Sequence, residues 1–176
     1  MPAQRTTSLL RTVISQLRTR GDVVTLSDST GASLTGRDTL LRALVLRRLL
    51  RRTATPDERA IGILLPPTVA AAVTNLALAL DRRVAVNLNY SLSEELVQPS
   101  IAEAGLRRVI TSRAFLRRMP LDLGAVETVI LEDLAPKATL LDKASAAILS
   151  VLPIPILERV LGIHDIPEDE LMTIVF

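Results

Sequence analysis

The chain has 176 residues, 48% of them hydrophobic and 23% charged, with a mean hydropathy of +0.35; this suits one folded domain, at most two small ones, and excludes a disordered chain. Cysteine is absent, histidine occurs once and aromatic residues make up 2%, which excludes a disulfide framework, a thiolate nucleophile and a Cys- or His-cluster metal site, and argues against an aromatic platform for single-stranded nucleic acid. The net charge is +2, yet residues 1–118 hold 18 arginines against 9 acids and residues 119–176 hold 3 basic groups against 10 acids; we read this asymmetry as solvated helix faces, with no nucleic-acid partner.

Residues 4–20 read as an amphipathic helix with Leu9, Leu10, Val13, Ile14 and Leu17 on one side. The acid-free start loosely resembles a mitochondrial presequence, but the helix is the preferred reading, and no secretory signal is visible. Val23–Leu26 and Ser33–Thr35 read as a short hairpin about Ser29-Thr30-Gly31. Arg37–Arg52 is a strong helix: Leu41, Val45 and Leu49 recur four apart, with Arg47, Arg48, Arg51 and Arg52 away from them.

From residue 60 the rhythm changes. Ala60–Leu65 is a continuous apolar run, as expected of a strand buried on both faces, and Arg83–Leu88 reads as another apolar strand. Between them lies an Ala-rich helix, Pro67–Leu80, with Pro67 expected at its first position. The uncharged stretch Ile61–Leu80 has the length of a membrane span, but Pro66–Pro67 in its middle favour strand plus helix. Ser93 is a good N-cap, with Glu94 and Glu95 in the first turn and Gly105 as the stop. Arg108–Thr111 and Val126–Leu131 are further strands, separated by a short helix capped by Ser112. Leu140–Ser150 and Ile156–Leu161 are helical and interrupted by Pro153 and Pro155; Leu171–Phe176 is a last apolar strand.

Strands alternating with helices predict an α/β fold in three layers: a mostly parallel sheet with helices on both faces, preceded by a helix and a short hairpin. The expected organisation is a helix–hairpin–helix lead-in (1–59), a parallel βα core (60–135), an apolar helical segment (136–170) and the last strand (171–176). The scattered glycines form neither a dinucleotide fingerprint nor a P-loop. Glu132–Asp133 and Glu168-Asp169-Glu170 read as solvated loops rather than cation sites, and His164 beside Asp165 as polar surface rather than an oriented base. Ending on an apolar strand with no polar cap suggests an interrupted polypeptide.

Residues 60–115 resemble the N-terminal part of the acyl-adenylate-forming enzymes, the AMP-dependent synthetases and ligases. The resemblance rests on Ile61-Gly62-Ile63-Leu64-Leu65-Pro66, the helix with Asn75 and Leu76, Val84-Ala85-Val86-Asn87-Leu88-Asn89-Tyr90, Ser93-Glu94-Glu95, Ile101-Ala102-Glu103-Ala104-Gly105 and Arg108-Val109-Ile110-Thr111-Ser112. Within the family the chain is most similar to acyl-ACP synthetases and 2-acylglycerophosphoethanolamine acyltransferase-type enzymes. The resemblance implies a parent that activates a fatty acid with ATP and Mg as acyl-AMP and passes it to CoA or an acyl carrier protein. The family's ATP phosphate loop and later motifs match no residues here, so no catalytic, cofactor-binding or metal residue carries over, and the chain alone is expected to be scaffold.

Asn87, Asn89 and Tyr90 follow a strand and are the candidates for the substrate crevice; turn and sheet-end packing is their other reading. The expected partners are the rest of the ligase chain and, through 140–161, a membrane surface. The expected location is cytoplasmic, with a peripheral contact at the inner face of the membrane. The alternative is a complete, non-enzymatic α/β binding or interaction domain.

Overall fold

The computed structural model describes residues 9–91, 94–167 and 170–176. The first few residues of the expected opening helix, the Ser93 cap and Glu168–Asp169 lie outside them. Helix α1 (Leu9–Thr19) buries Leu10, Ile14 and Leu17, the stripe its spacing predicts. Strands β1 (Val24–Ser27) and β2 (Ser33–Thr35) pair antiparallel. Helix α2 (Gly36–Thr53) starts from Thr35, whose hydroxyl accepts from the Asp38 amide at 3.2 Å.

The buried face of α2 is Leu40, Ala43, Leu44, Arg47, Leu49 and Leu50; of the expected Leu41–Val45–Leu49 row, Leu49 is buried while Leu41 and Val45 are half-buried. Arg47 therefore corrects the expectation that it faces outward. Its Nε donates to the Leu80 carbonyl at 2.8 Å. The end of a helix leaves carbonyls without partners, and a guanidinium can satisfy them while its stem packs on apolar surface.

Five parallel strands form the main sheet: β3 (Ala60–Ile63), β4 (Val84–Asn87), β5 (Arg108–Thr111), β6 (Glu127–Ile130) and β7 (Thr173–Val175). Their order is β6-β5-β3-β4-β7. Register runs Ala60 to Val84 and Gly62 to Val109, and β7 joins β4 with Val86 beside Ile174. Side chains alternate across the sheet. On one face Ile61, Ile63, Ala85, Ile110 and Val129 pack against Leu50 of α2 and Leu78 of α3 (Val69–Leu80). On the other, Leu64, Val86 and Val109 pack against Val97 and Ile101 of α4 (Glu94–Glu103) and Phe115 of α5 (Arg113–Arg118). The three-layer α/β architecture is thus the one the alternating pattern predicts.

Helix α3 begins two residues later than expected. Thr68 is its N-cap and accepts from the Ala71 amide at 3.3 Å, a bond that Pro67 has no side-chain oxygen to make. Glu132 and Asp133 are not a loop but the first turn of α6 (Leu131–Leu134). A 3-10 turn, Ala135–Lys137, leads into α7 (Leu140–Val151) and α8 (Ile154–Leu161), divided at Pro153. Both pack beside α1 and α2 through Ile14, Leu44, Ala146, Leu157 and Ile163. Among the described residues no helix is long and apolar enough to cross a membrane; Ile61–Leu80 divides into β3 and α3.

Candidate functional site

The chain leaves β3 toward α3 on one face and leaves β5 toward α5 on the other. Neighbouring strands whose connections part in this way open a crevice at their carboxyl ends. The two ends stay joined: the Leu64 amide donates to the Ile110 carbonyl at 2.8 Å, and the Thr111 hydroxyl donates to the Leu64 carbonyl at 2.8 Å. Above them lies a cleft of about 1240 Å³. Its walls are apolar: Leu41, Val45 and Leu46 of α2, Val69 and Val73 of α3, Phe115 of α5 and Ala146 of α7. Arg42, Arg118 and Lys143 also line it and are exposed, so the cations stand at the mouth. The volume exceeds the roughly 300–1,000 Å³ of an ordinary small-molecule pocket.

Three carboxylates hold the walls. Asp28, in the turn between β1 and β2, accepts from the Thr30 hydroxyl at 2.6 Å, the Thr30 amide at 2.9 Å and the Val69 amide at 2.8 Å. The hairpin is thereby fastened to the first turn of α3. Hydrogen bonds from the Thr30 side chain and then the Val69 amide hold the Asp28 carboxyl below the usual range.

Asp142 is 1% exposed. It closes a capping box with Thr139 and accepts from Arg48 Nε at 2.6 Å and Arg52 Nη2 at 2.8 Å, tying α7 to α2. The Thr139 amide, against the cost of burial, and then the Thr139 hydroxyl and both arginines hold its carboxyl far below the usual range. Glu132 accepts from the Arg113 amide at 3.0 Å, capping α5. Burial opposes its charge, and the Arg113 and Ala114 amides outweigh that, lowering its pKa.

Of the sequence-predicted residues, only Tyr90 lines the cleft, 39% exposed. Asn87 ends β4 and exchanges two amide hydrogen bonds of 3.0 Å with Asn75 of α3; it also donates to the Thr173 hydroxyl at 3.0 Å. Asn89 accepts from the Ser91 amide at 3.0 Å and the Ser91 hydroxyl at 2.7 Å, a side-chain turn. His164 is exposed beside Asp165, its Nε2 2.9 Å from Oδ2. The segment 140–161 presents Leu140, Leu141, Ile148 and Val151 outward, each more than 60% exposed. The α2 wall went unread as a site because helical periodicity marks an apolar face without saying what covers it.

Among the described residues no group of three or more His, Asp or Glu side chains is placed to hold a metal ion. Nor does the loop after β3 fit a nucleotide phosphate. Pro66 and Pro67 have no amide hydrogens, the Val69 amide serves Asp28, and the Ala71 amide serves Thr68.

No family model matches the chain. Solved structures do. The N-terminal subdomain of Klebsiella oxytoca NpsA in complex with 3-hydroxybenzoyl-AMSN matches with a TM-score of 0.64 at 17% identity, over 76% of this chain and 32% of that one. VinN in complex with 3-methylaspartate matches with a TM-score of 0.65 at 16% identity, over 82% and 39%. A benzoate CoA ligase from Burkholderia xenovorans LB400 matches with a TM-score of 0.63 at 22% identity, over 74% and 28%. This chain spans about a third of the length of the solved structures it matches. At these identities the likeness is one of fold: a parallel sheet with its flanking helices.

Proposed function

We propose that the chain is the first part of the N-terminal domain of an acyl-adenylate-forming ligase, and that its cleft holds the apolar portion of a carboxylic acid. The observation that carries this is the apolar cleft at the carboxyl ends of β3 and β5, with Arg42, Arg118 and Lys143 at its mouth. Apolar walls favour an alkyl chain by about 0.8 kcal/mol per buried methylene, and three lining cations against the carboxylates of Asp28 and Glu132 leave the lining net positive, which favours an incoming carboxylate. A fatty acid suits this lining best. The fold shared with the benzoate CoA ligase and the NpsA subdomain supports the ligase reading. In the whole ligase, ATP and Mg would supply the adenylyl group that activates the acid, with pyrophosphate leaving, and CoA or an acyl carrier protein would be the acceptor.

The loop after β3 offers no cradle for a nucleotide phosphate, and we read this chain as the part of the ligase that receives the acid. The outward apolar row of α7 supports docking by the rest of such a ligase. The test is displacement of a fluorescent polyene fatty acid from the chain, with Val73→Trp to fill the cleft. Wild type should bind saturably and the variant about tenfold more weakly. Absence of binding, or an unchanged Val73→Trp variant, would remove the reading. Acid-dependent ATP–pyrophosphate exchange by this chain would contradict the scaffold role. Co-sedimentation with lipid vesicles through Leu140 and Ile148 would reassign the α7 row to a membrane.

A further inference from the structure

A second concavity, of about 480 Å³, lies at the opposite end of the sheet, where β3 and β4 begin. Its lining includes Arg47, Arg51, Arg59, Arg82 and Arg83. Two of these guanidinium groups form a fixed floor. Arg47 and Arg83 are 8% and 9% exposed. Arg47 is held by the Leu80 carbonyl at 2.8 Å, and Arg83 by the carbonyls of Thr55, at 3.1 Å, and Glu58. The other three stand at the rim, with side chains 57%, 71% and 42% exposed for Arg51, Arg59 and Arg82.

The carboxylates nearby do not balance them. Asp81 is shared by three arginines: Oδ1 lies 3.3 Å from both Arg47 and Arg51, and Oδ2 accepts from Arg83 at 2.8 Å. Glu170 is shared by Arg82, at 2.9 Å, and Arg59, at 3.6 Å. Glu58 faces Arg108 at 3.6 Å, and Arg108 also binds Glu127 at 2.6 Å. Among the described residues six guanidinium groups thus share four carboxylates. Burial lowers the pKa of Arg47, Asp81 opposes this, and Arg51 adds to it.

Arg82 adds a second, backbone observation. It is the only described non-glycine residue with positive φ, at 57°, just past the C-cap of α3. Glycine is the usual occupant of that position, because a Cβ there crowds the following carbonyl oxygen. An arginine held there turns a strained backbone position into a cation at the rim.

We propose that this basin binds a small phosphate-bearing solute, the class of anion whose multiple negative charge suits clustered guanidinium groups that share their carboxylates and whose oxygens suit several guanidinium donors at once. A lipid headgroup fits less well, since the lining has no exposed large apolar side chain. The site is at the far end of the sheet from the cleft, so it stands or falls separately from the ligase reading.

The test is calorimetric titration of the 176-residue chain with sodium pyrophosphate, against sodium chloride at matched ionic strength. Binding should be saturable and weaken as salt rises. Arg82→Gly removes the cation and relieves the backbone, so the variant should be at least as stable as wild type yet bind pyrophosphate about five- to tenfold more weakly. Arg51→Gln, at an exposed rim position, should weaken binding similarly. Three results would overturn the proposal: no heat beyond the chloride control, unchanged affinity in both variants, or retention on phosphatidic-acid vesicles without binding of free pyrophosphate.

Discussion

Replacing Gly36 by alanine sets two physical effects against each other. From helix propensity alone the change should help, since alanine exceeds glycine by about 1 kcal/mol in a helix. The packing says otherwise. A Cβ at Gly36 would stand 2.2 Å from the Leu17 carbonyl oxygen and 2.6 Å from that of Arg20. Carbon ordinarily meets a carbonyl oxygen at roughly 3.3 Å, so the nearer contact is about 1 Å too close. Both obstacles are backbone, and no rotamer change relieves them; the end of α1 must retreat from the start of α2. That retreat strains the bonds from the Gly36 amide to the Val23 carbonyl and from the Arg37 amide to the Gly21 carbonyl, each 3.0 Å. Overpacking costs typically 1–3 kcal/mol and each hydrogen bond about 1 kcal/mol, so after the propensity gain the net loss is about 2–4 kcal/mol. With a urea m-value of about 2 kcal/mol/M, the unfolding midpoint should fall by about 1–2 M. Gly105→Ala is the control: its φ is +58° and nothing lies within 4 Å, so only backbone strain acts. A Gly36→Ala midpoint equal to or above wild type would refute the contact-based reasoning.

Other outcomes follow from the cleft and its supports. Leu50, fully buried, and Leu46, on the cleft wall, lie one turn apart on α2. Leu50→Ala should cost about 2–5 kcal/mol in urea unfolding, whereas Leu46→Ala should cost less than about 1.5 kcal/mol and mainly weaken fatty-acid binding. The carboxyls of Asp28, Asp142 and Glu132 titrate lower in the folded chain. Their stabilisation is therefore complete above the unfolded carboxylate pKa of about 4, and is lost as pH falls below it through the folded values. The urea midpoint should hold from pH 7 to about 5 and drop below about 4; Asp142→Asn should flatten that drop, and an unchanged acid slope would contradict the clamp. Asp28→Ala should speed hydrogen exchange at the Val69 amide, and unaltered protection there would show that the hairpin is fastened by something else.

What the sequence discloses follows how local each signal is. Ala60–Leu65, Arg83–Leu88 and Arg108–Thr111 are legible because a strand covered on both faces has apolar residues in succession rather than a regular polar alternation. Thr139 and Asp142 three residues on carry a helix-start signal, but nothing local tells that Arg48 and Arg52, about ninety residues earlier, complete the cluster. Arg47 misled for a related reason. A charge on an apolar helix face reads as solvent-facing until the end of another helix supplies carbonyls for it. Asn87 was legible as a residue at the end of a strand, while its pairing with Asn75 depends on how α3 lies on β4. The four-residue α6 is too short for any periodicity to declare it.

The position of Asp28 also bears on the division of labour in the proposed ligase. A helix that follows a parallel strand begins with unpaired amides that would ordinarily attract an anion. Here the chain supplies its own: Asp28 arrives from the hairpin, and its Oδ2 takes the first amide of α3 at 2.8 Å. The same bond has two consequences. It holds the hairpin over the cleft, keeping the mouth beside Arg42, and it removes the α3 terminus from competition for phosphate. In the proposed ligase, acid recognition and nucleotide recognition would therefore be separable. The apolar walls of α2, α3 and α7 can receive a chain of methylenes without any phosphate bound. In the proposed ligase, the groups that hold ATP must approach the same cleft from elsewhere in the protein.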